Sequence, residues 1–345
     1  MSLSTCCRAF VGVLVLALAL PALSAETLRE RIRERLAERS QGADPGDELT
    51  DTGNAMSCAD WSRKVKRLER FAARRQKGPM PDLADVAYGP EPLATLDVYL
   101  PKGQVAGGAP LIMMVHGGGW CVGDKGGSQM VANKVARWVS QGFVFLSVNY
   151  PMVNDGADAL AQAGAIAGAA AFVQAHAGEW GGDGRRLILM GHSAGAHLVS
   201  LVNADAHLRA AHGVRPLLGT VSLDAGAIDV VKQMPNVYPF LKARYREAFG
   251  DTEVGWIAAS PFHQLDPTAA PWLGVCSTQR KDKPCDQAQA YADKSQGLGI
   301  RAAVLPEPMN HGEINSALGA PGRYTDDVEA FMASLDPVVA ARLKH

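Results

Sequence analysis

The chain is predicted to adopt an α/β architecture with a mainly parallel, doubly wound sheet and helices on both faces, and three observations carry that prediction. Continuous apolar segments of strand length, Pro110 to Val115, Phe143 to Val148 and Leu187 to Met190, lack the alternation of half-exposed strands and read as strands buried on both sides. Helical segments separate them at the spacing of crossover connections. The chain has 345 residues, of which 47% are hydrophobic and 20% charged, a balance that supports a large core and excludes disordered and collagen-like classes.

The first residues set the compartment. Arg8 precedes the apolar run Ala9 to Leu20, and the small residues Ala22-Leu23-Ser24-Ala25 close it. Residues 1–25 therefore read as a signal peptide cleaved after Ala25, too short to span a bilayer, and the mature protein is expected to be periplasmic or secreted. Formal net charge is -1. Nothing in that balance favours a nucleic-acid partner, and no later stretch is long and apolar enough for stable membrane insertion.

Residues 26–87 form a charged N-terminal extension and linker. Leu28, Ile32 and Leu36 make one helical stripe, Gln41 to Asp60 has loop composition, and Trp61 to Gln76 is a basic amphipathic helix whose charged face is solvated. Residues 88–345 carry the α/β pattern. Leu93 to Leu100 is its early strand, and Gly219 to Leu223, Trp272 to Cys276 and Arg301 to Leu305 are its later ones. Helices are expected at Gln129 to Ser140, Ala157 to His176, Asp286 to Gly297 and Asp326 to Leu335. Between residues 224 and 271 the alternation lapses into an aromatic-rich interval, a candidate small cap insertion.

Two motifs carry chemistry. Gly191-His192-Ser193-Ala194-Gly195 follows a strand and opens a helix, the context a nucleophile elbow requires, and its glycines leave room for a strained turn that exposes Ser193. The bland alternative is a glycine-rich turn with a capping serine. His116-Gly117-Gly118-Gly119-Trp120 follows another buried strand. Three glycines let backbone N–H groups face a reacting carbonyl, so Gly118 and Gly119, with the N–H of Ala194, are candidate oxyanion donors, each worth about 2.7–4 kcal/mol of barrier.

Together these motifs resemble the α/β-hydrolase superfamily, in its HGGG-motif carboxylesterase and kynurenine-formamidase-like branch, over about Tyr88 to Leu335. The resemblance implies the α/β-hydrolase fold and an oxyanion-loop supporting role for His116. His192 stands where the lipase branch usually has Asp, and Pro151 follows Tyr150 where relatives often have Arg, so lipase specificity is not carried over.

The order nucleophile, acid, base points to His311, after the last strand, as general base, with His263 as the alternative. His192 and His197 lie too close to Ser193 along the elbow. The acid is expected in the loop after Trp272 to Cys276, where the family places it. Asp282 lies mid-loop and is preferred, Asp286 reads as a helix cap, and Asp224 after the preceding strand is the fallback.

Four cysteines remain outside the signal. Cys276 and Cys285 bracket one short loop and are the expected disulfide, which would hold Asp282 in register. Cys58 and Cys121 form a second bridge or remain buried thiols. The expected activity is hydrolysis of a small carboxylic ester by Ser193, His311 and Asp282 through an acyl-enzyme, without metal or organic cofactor. Arylformamidase-like amide cleavage and a non-catalytic module on a hydrolase scaffold are the rival readings.

Overall fold

The computed structural model describes residues 55–72, 78–103 and 107–343. The expected signal peptide, residues 1–25, and the stripe of Leu28, Ile32 and Leu36 lie outside them. One eight-stranded sheet runs in the order β1-β2-β4-β3-β5-β6-β7-β8. Its strands are β1 (Leu83–Ala87), β2 (Thr95–Tyr99), β3 (Ala109–Val115), β4 (Val144–Val148), β5 (Gly182–His192), β6 (Gly219–Leu223), β7 (Trp272–Ser277) and β8 (Ala302–Glu307). Pairing of β2 with β1 and β4 is antiparallel, and every other pairing is parallel. The parallel strands from β3 to β7 are the apolar runs read from the sequence. Strand β1 escaped that reading because it is an edge strand, mostly exposed, without an apolar run.

Strand alternation assigns each side chain a layer. Leu111, Met113, Val115, Leu187 and Leu189 enter one core with Ala163, Ile166 and Ala170. These come from the helix Ala159–His176, whose alanines allow close approach to the sheet. Ile112, Met114, Ile188 and Met190 enter the other core, against Trp138, Val328 and Met332. Trp138 lies in a π turn, Val135–Val139, that continues the helix Ser128–Lys134, so the expected helix Gln129 to Ser140 changes its winding halfway. Val328 and Met332 belong to the helix Arg323–Ala333. Both faces are thus covered, as a parallel sheet requires.

The interval between β6 and β7 folds into short helices at Val230–Gln233, Lys242–Phe249, Glu253–Ala258 and Pro261–Gln264. From the second of these, Tyr245 and Phe249 stack edgewise on Trp120, with ring centroids 5.0 and 4.7 Å away. Two of the insertion's aromatic residues are therefore spent on contacts with the glycine-rich loop after β3.

The N-terminal helix α1 (Cys58–Ala72) starts before the expected Trp61. Cys58, Trp61 and Val65 fall at i, i+3 and i+7 and form a small core with Cys121. Arg244 lies over the Trp61 ring, 4.6 Å from its centroid. The Asn154 amide donates to the carbonyls of both Cys58 and Cys121, at 3.2 and 2.9 Å. Disulfides join Cys58 to Cys121, 63 residues apart, and Cys276 to Cys285, nine apart.

Loop-closure entropy ranks the two bridges at about 4 and about 2.7 kcal/mol. In urea unfolding of the oxidised protein, the double substitution Cys58→Ser/Cys121→Ser is expected to lower stability more than Cys276→Ser/Cys285→Ser. The reverse order would show that native packing around the short loop outweighs the chain-entropy difference.

Candidate active site

Strand β5 ends at His192, and the helix Ala194–Ala204 begins one residue beyond Ser193. Ser193 itself has φ 57° and ψ -117°, outside the relaxed regions for a non-glycine residue. Its N–H donates to the Leu223 carbonyl at 2.9 Å, and its carbonyl accepts from His197 at 3.1 Å and Gly226 at 3.3 Å. The flanking glycines are dictated by space. A Cβ on Gly191 would lie 2.3 Å from the Gly195 carbonyl oxygen, and one on Gly195 would lie 2.2 Å from that of Val115. The G-x-S-x-G spacing therefore reflects a turn packed against its own backbone and against β3. As the first residue of its helix, Ala194 has an N–H with no intrahelical acceptor.

The loop after β3 lies against this turn: a Cβ on Gly117 would come within 2.8 Å of the Ser193 Cβ. Gly118 and Gly119 have φ of 116° and 62°. A side chain at Gly118 would collide with the Val122 carbonyl, which fixes that position as glycine. His116 is buried against Tyr150, the rings stacked 4.5 Å apart, and the Tyr150 hydroxyl donates to the His116 carbonyl at 2.8 Å. Its ring fills the space where a Gly123 side chain would stand, and burial pushes its pKa below the usual histidine value. His116 thus packs inside the loop, away from proton exchange with solvent.

Across the sheet edge, His311 Nδ1 lies 2.5 Å from Oδ2 of Asp224. Asp224 directly follows β6, is completely buried, and has φ 49°. Its other oxygen accepts the Ser277 N–H at 2.8 Å. The same Oδ2 also accepts from Arg280, whose NH1 is 2.9 Å away. Burial pushes the Asp224 carboxyl pKa up, but the Arg280 charge, the His311 contact and the Ser277 N–H outweigh it and hold the group well below the usual carboxylate range.

The expectation for Asp282 is corrected by this arrangement. Asp282 does not meet His311; its two oxygens grip Arg280, at 3.0 Å from Nε and 2.5 Å from NH2. That fork takes up both Asp282 oxygens, and the fallback Asp224 occupies the place at the imidazole. His263, the alternative base, sits 3.3 Å from Asp229 in the insertion. His192 directs Nε2 to the His311 carbonyl at 2.9 Å.

His197 does more than occupy its helix. The Trp120 indole donates to its Nδ1 at 3.2 Å, so Nε2 carries the proton and donates to the Ala259 carbonyl at 2.8 Å. A neutral, buried imidazole thereby ties the tryptophan after the glycine run to the end of the helix Glu253–Ala258. Arg280 and His197 were both missed as site residues from sequence. For Arg280 the readable sign was an arginine two positions from an aspartate in the loop after a buried strand; for His197 there was none.

A parallel sheet with an oxyanion-type glycine loop after one strand, a serine elbow after the next parallel neighbour, and a later Asp and His brought together defines an α/β-hydrolase. The BD-FAE family model matches residues 96–224. A kynurenine formamidase of Danio rerio is 31% identical over 253 residues, which cover 72% of this chain and 80% of that one. A probable isoprenylcysteine alpha-carbonyl methylesterase of Arabidopsis thaliana is 32% identical over 240 residues, 64% of this chain and 48% of the relative. The chain spans about half the length of that methylesterase. Among solved structures, esterase B from Lactobacillus rhamnosis superposes with a TM-score of 0.63 at 18% identity, over 81% of this chain and 94% of that one, a likeness of fold. The chain belongs to the α/β-hydrolase superfamily, in its HGGG-motif carboxylesterase and kynurenine-formamidase-like branch.

Burial pushes the His197 pKa down to about 4 from an ordinary 6.5. In the unfolded chain this group takes up a proton below about pH 6.5, while in the folded protein it does not until about pH 4. Its contribution is therefore present above pH 6.5 and is lost as pH falls toward 4, by about 3 kcal/mol. Urea unfolding at pH 7 and pH 4.5 is expected to show a smaller acid-induced loss for His197→Gln than for the wild type. Equal losses would show that His197 titrates normally in the fold.

Proposed function

We propose that the protein is an exported serine hydrolase that cleaves carboxylic esters through an acyl-enzyme. The observation that carries this reading is the 2.5 Å contact of His311 with a buried Asp224 held anionic, on the same sheet edge as the strained Ser193. Ser193 attacks the ester carbonyl carbon, and its proton passes to Nε2 of His311. Asp224, at Nδ1, orients the imidazole and stabilises its cation. The N–H groups of Gly118, Gly119 and Ala194 receive the developing oxyanion, and His116 holds the loop that presents two of them. His311 then protonates the leaving alcohol, and a water activated by the same histidine releases the acid and regenerates Ser193.

Names among the relatives support ester chemistry: methylesterases of Arabidopsis thaliana and an esterase, LipC, of Mycobacterium tuberculosis. The Danio rerio kynurenine formamidase, aligned over four-fifths of its length, favours formamide cleavage as the second reading, because the same apparatus attacks either carbonyl. Both disulfides support residence in an oxidising compartment after removal of residues 1–25. Among the described residues no helix is long and apolar enough to cross a membrane.

Ser193→Ala is expected to abolish labelling by a fluorophosphonate and to remove nearly all hydrolysis of 4-nitrophenyl acetate. Asp224→Asn should lower kcat by about 10⁴-fold with the fold intact, as loss of the correct histidine tautomer does in such triads. Asp282→Asn should cost far less. Retained turnover in Ser193→Ala, or equal losses at Asp224 and Asp282, would overturn the assignment. Profiling acyl chains from acetyl to long-chain, alongside an aryl formamide, separates the two chemistries.

A further inference from the structure

Arg280 stands at the centre of a charge relay that the triad reading leaves unexplained. It lies in the loop between β7 and the helix Pro284–Gly297, with 19% of its side chain exposed. Nε and NH2 are taken by Asp282, NH1 by Oδ2 of Asp224, and the same NH1 is 3.4 Å from Nδ1 of His311. Remaining directions of NH1 meet the carbonyls of Asp224 and Ala225, at 3.3 and 3.5 Å. The contacts of Nε, NH1 and NH2 described above are thus all with groups of this chain. The Cys276–Cys285 bridge closes the loop that carries both Arg280 and Asp282.

We propose that Arg280 is a positioning residue of the hydrolase, anchored by Asp282, that fixes the Asp224 carboxylate for His311 and, as a permanent cation beside the ring, makes His311 a weaker base. This deepens the serine-hydrolase reading and rests on it. The physical argument is the balance of two charges at one imidazole. Asp224 alone would stabilise the imidazolium strongly and raise the pH at which His311 becomes free to accept a proton. Arg280 shares the same carboxylate oxygen and repels the imidazolium, so part of that stabilisation is cancelled. The hydrolase then stays active at lower pH than the same Asp–His pair without a cation. The expected bridge around Asp282 acquires a different purpose: it frames the arginine that tunes the acid, while the acid itself directly follows the neighbouring strand.

Other titratable groups face this cluster. From the elbow, the His192 ring stands 4.5 Å from that of His311. From the insertion come Tyr238 and Tyr245, and from the helix Arg323–Ala333 comes Tyr324. Burial raises the pKa of all three phenols, that of Tyr245 to about 12, so they stay uncharged through the working range. His192 is the second imidazole beside this cluster.

The test is the pH dependence of kcat/KM for 4-nitrophenyl acetate, with thermal unfolding as the control for fold. In Arg280→Met the acidic limb is expected to move up by about one pH unit, and Arg280→Lys should restore most of the shift. The shift should persist in a His192→Gln background, which assigns the limb to His311. Should Arg280→Met fail to fold, Asp282→Asn, which keeps the cation and removes the anion that partly neutralises it, is expected to move the limb in the opposite direction, downward, by less. A limb unmoved in the folded Arg280 variants, or in Asp282→Asn when those do not fold, overturns the inference. Loss of activity in Ser193→Ala together with an unmoved limb would retire Arg280 alone. Absence of Ser193-dependent hydrolysis in the wild type would retire the functional reading first.

Discussion

A fully buried carboxylate can persist only where its charge is matched, and the Asp224 side chain meets that condition with three donors from three segments. Ser277 belongs to the neighbouring strand, Arg280 to the loop beyond it, and His311 to the start of a late helix. One anion therefore determines how the carboxyl ends of β6, β7 and β8 are assembled. Any displacement of the loop after β7 changes both the geometry and the charge felt by the imidazole. Removal of one partner would leave buried charge uncompensated, which is costlier than the loss of the contact itself.

Strain is concentrated around the same point. Five described non-glycine residues have positive φ, and Trp120, Ser193 and Asp224 are three of them. Ser193 and Asp224 directly follow β5 and β6, whose ladder holds the backbone up to the point where it turns, and Trp120 lies in the glycine loop after β3. The strained conformations persist because the flanking structure overdetermines them. Rigid strands thus deliver the glycine loop, the serine and the aspartate to one edge, the place where open α/β sheets gather their sites.

Much of this was legible in the sequence, and the failures have physical reasons. Buried parallel strands are continuous apolar runs, so β3, β4 and β5 could be read directly. The elbow and the glycine loop were legible because their glycines answer close backbone contacts that no other residue fits. The carboxylate beside His311 was not, since Asp224 and Asp282 satisfy the same chain order and only tertiary placement separates them. Even so, the neighbours differ. Asp282 sits between Lys281 and Lys283, two positions after Arg280, in a locally basic loop that can absorb its charge. Asp224 ends an apolar strand with no local cation and has to find its partners across the fold. The short helix His311–Ser316 was also missed, although Asn310 and Glu313 form its capping box.

The bond between Cys58 and Cys121 changes what counts as the hydrolase unit. Cys121 immediately follows the Trp120 of the glycine loop, so the helix Cys58–Ala72 is covalently part of the wall behind that loop. A recombinant fragment trimmed to the first strand of the sheet would discard Cys58 and Trp61 and expose the apolar surface around Cys121 that they cover. It would also leave Cys121 as an unpaired thiol beside the glycine loop, open to oxidation and to crosslinking with other molecules. For this chain the covalently closed unit begins well before its sheet does.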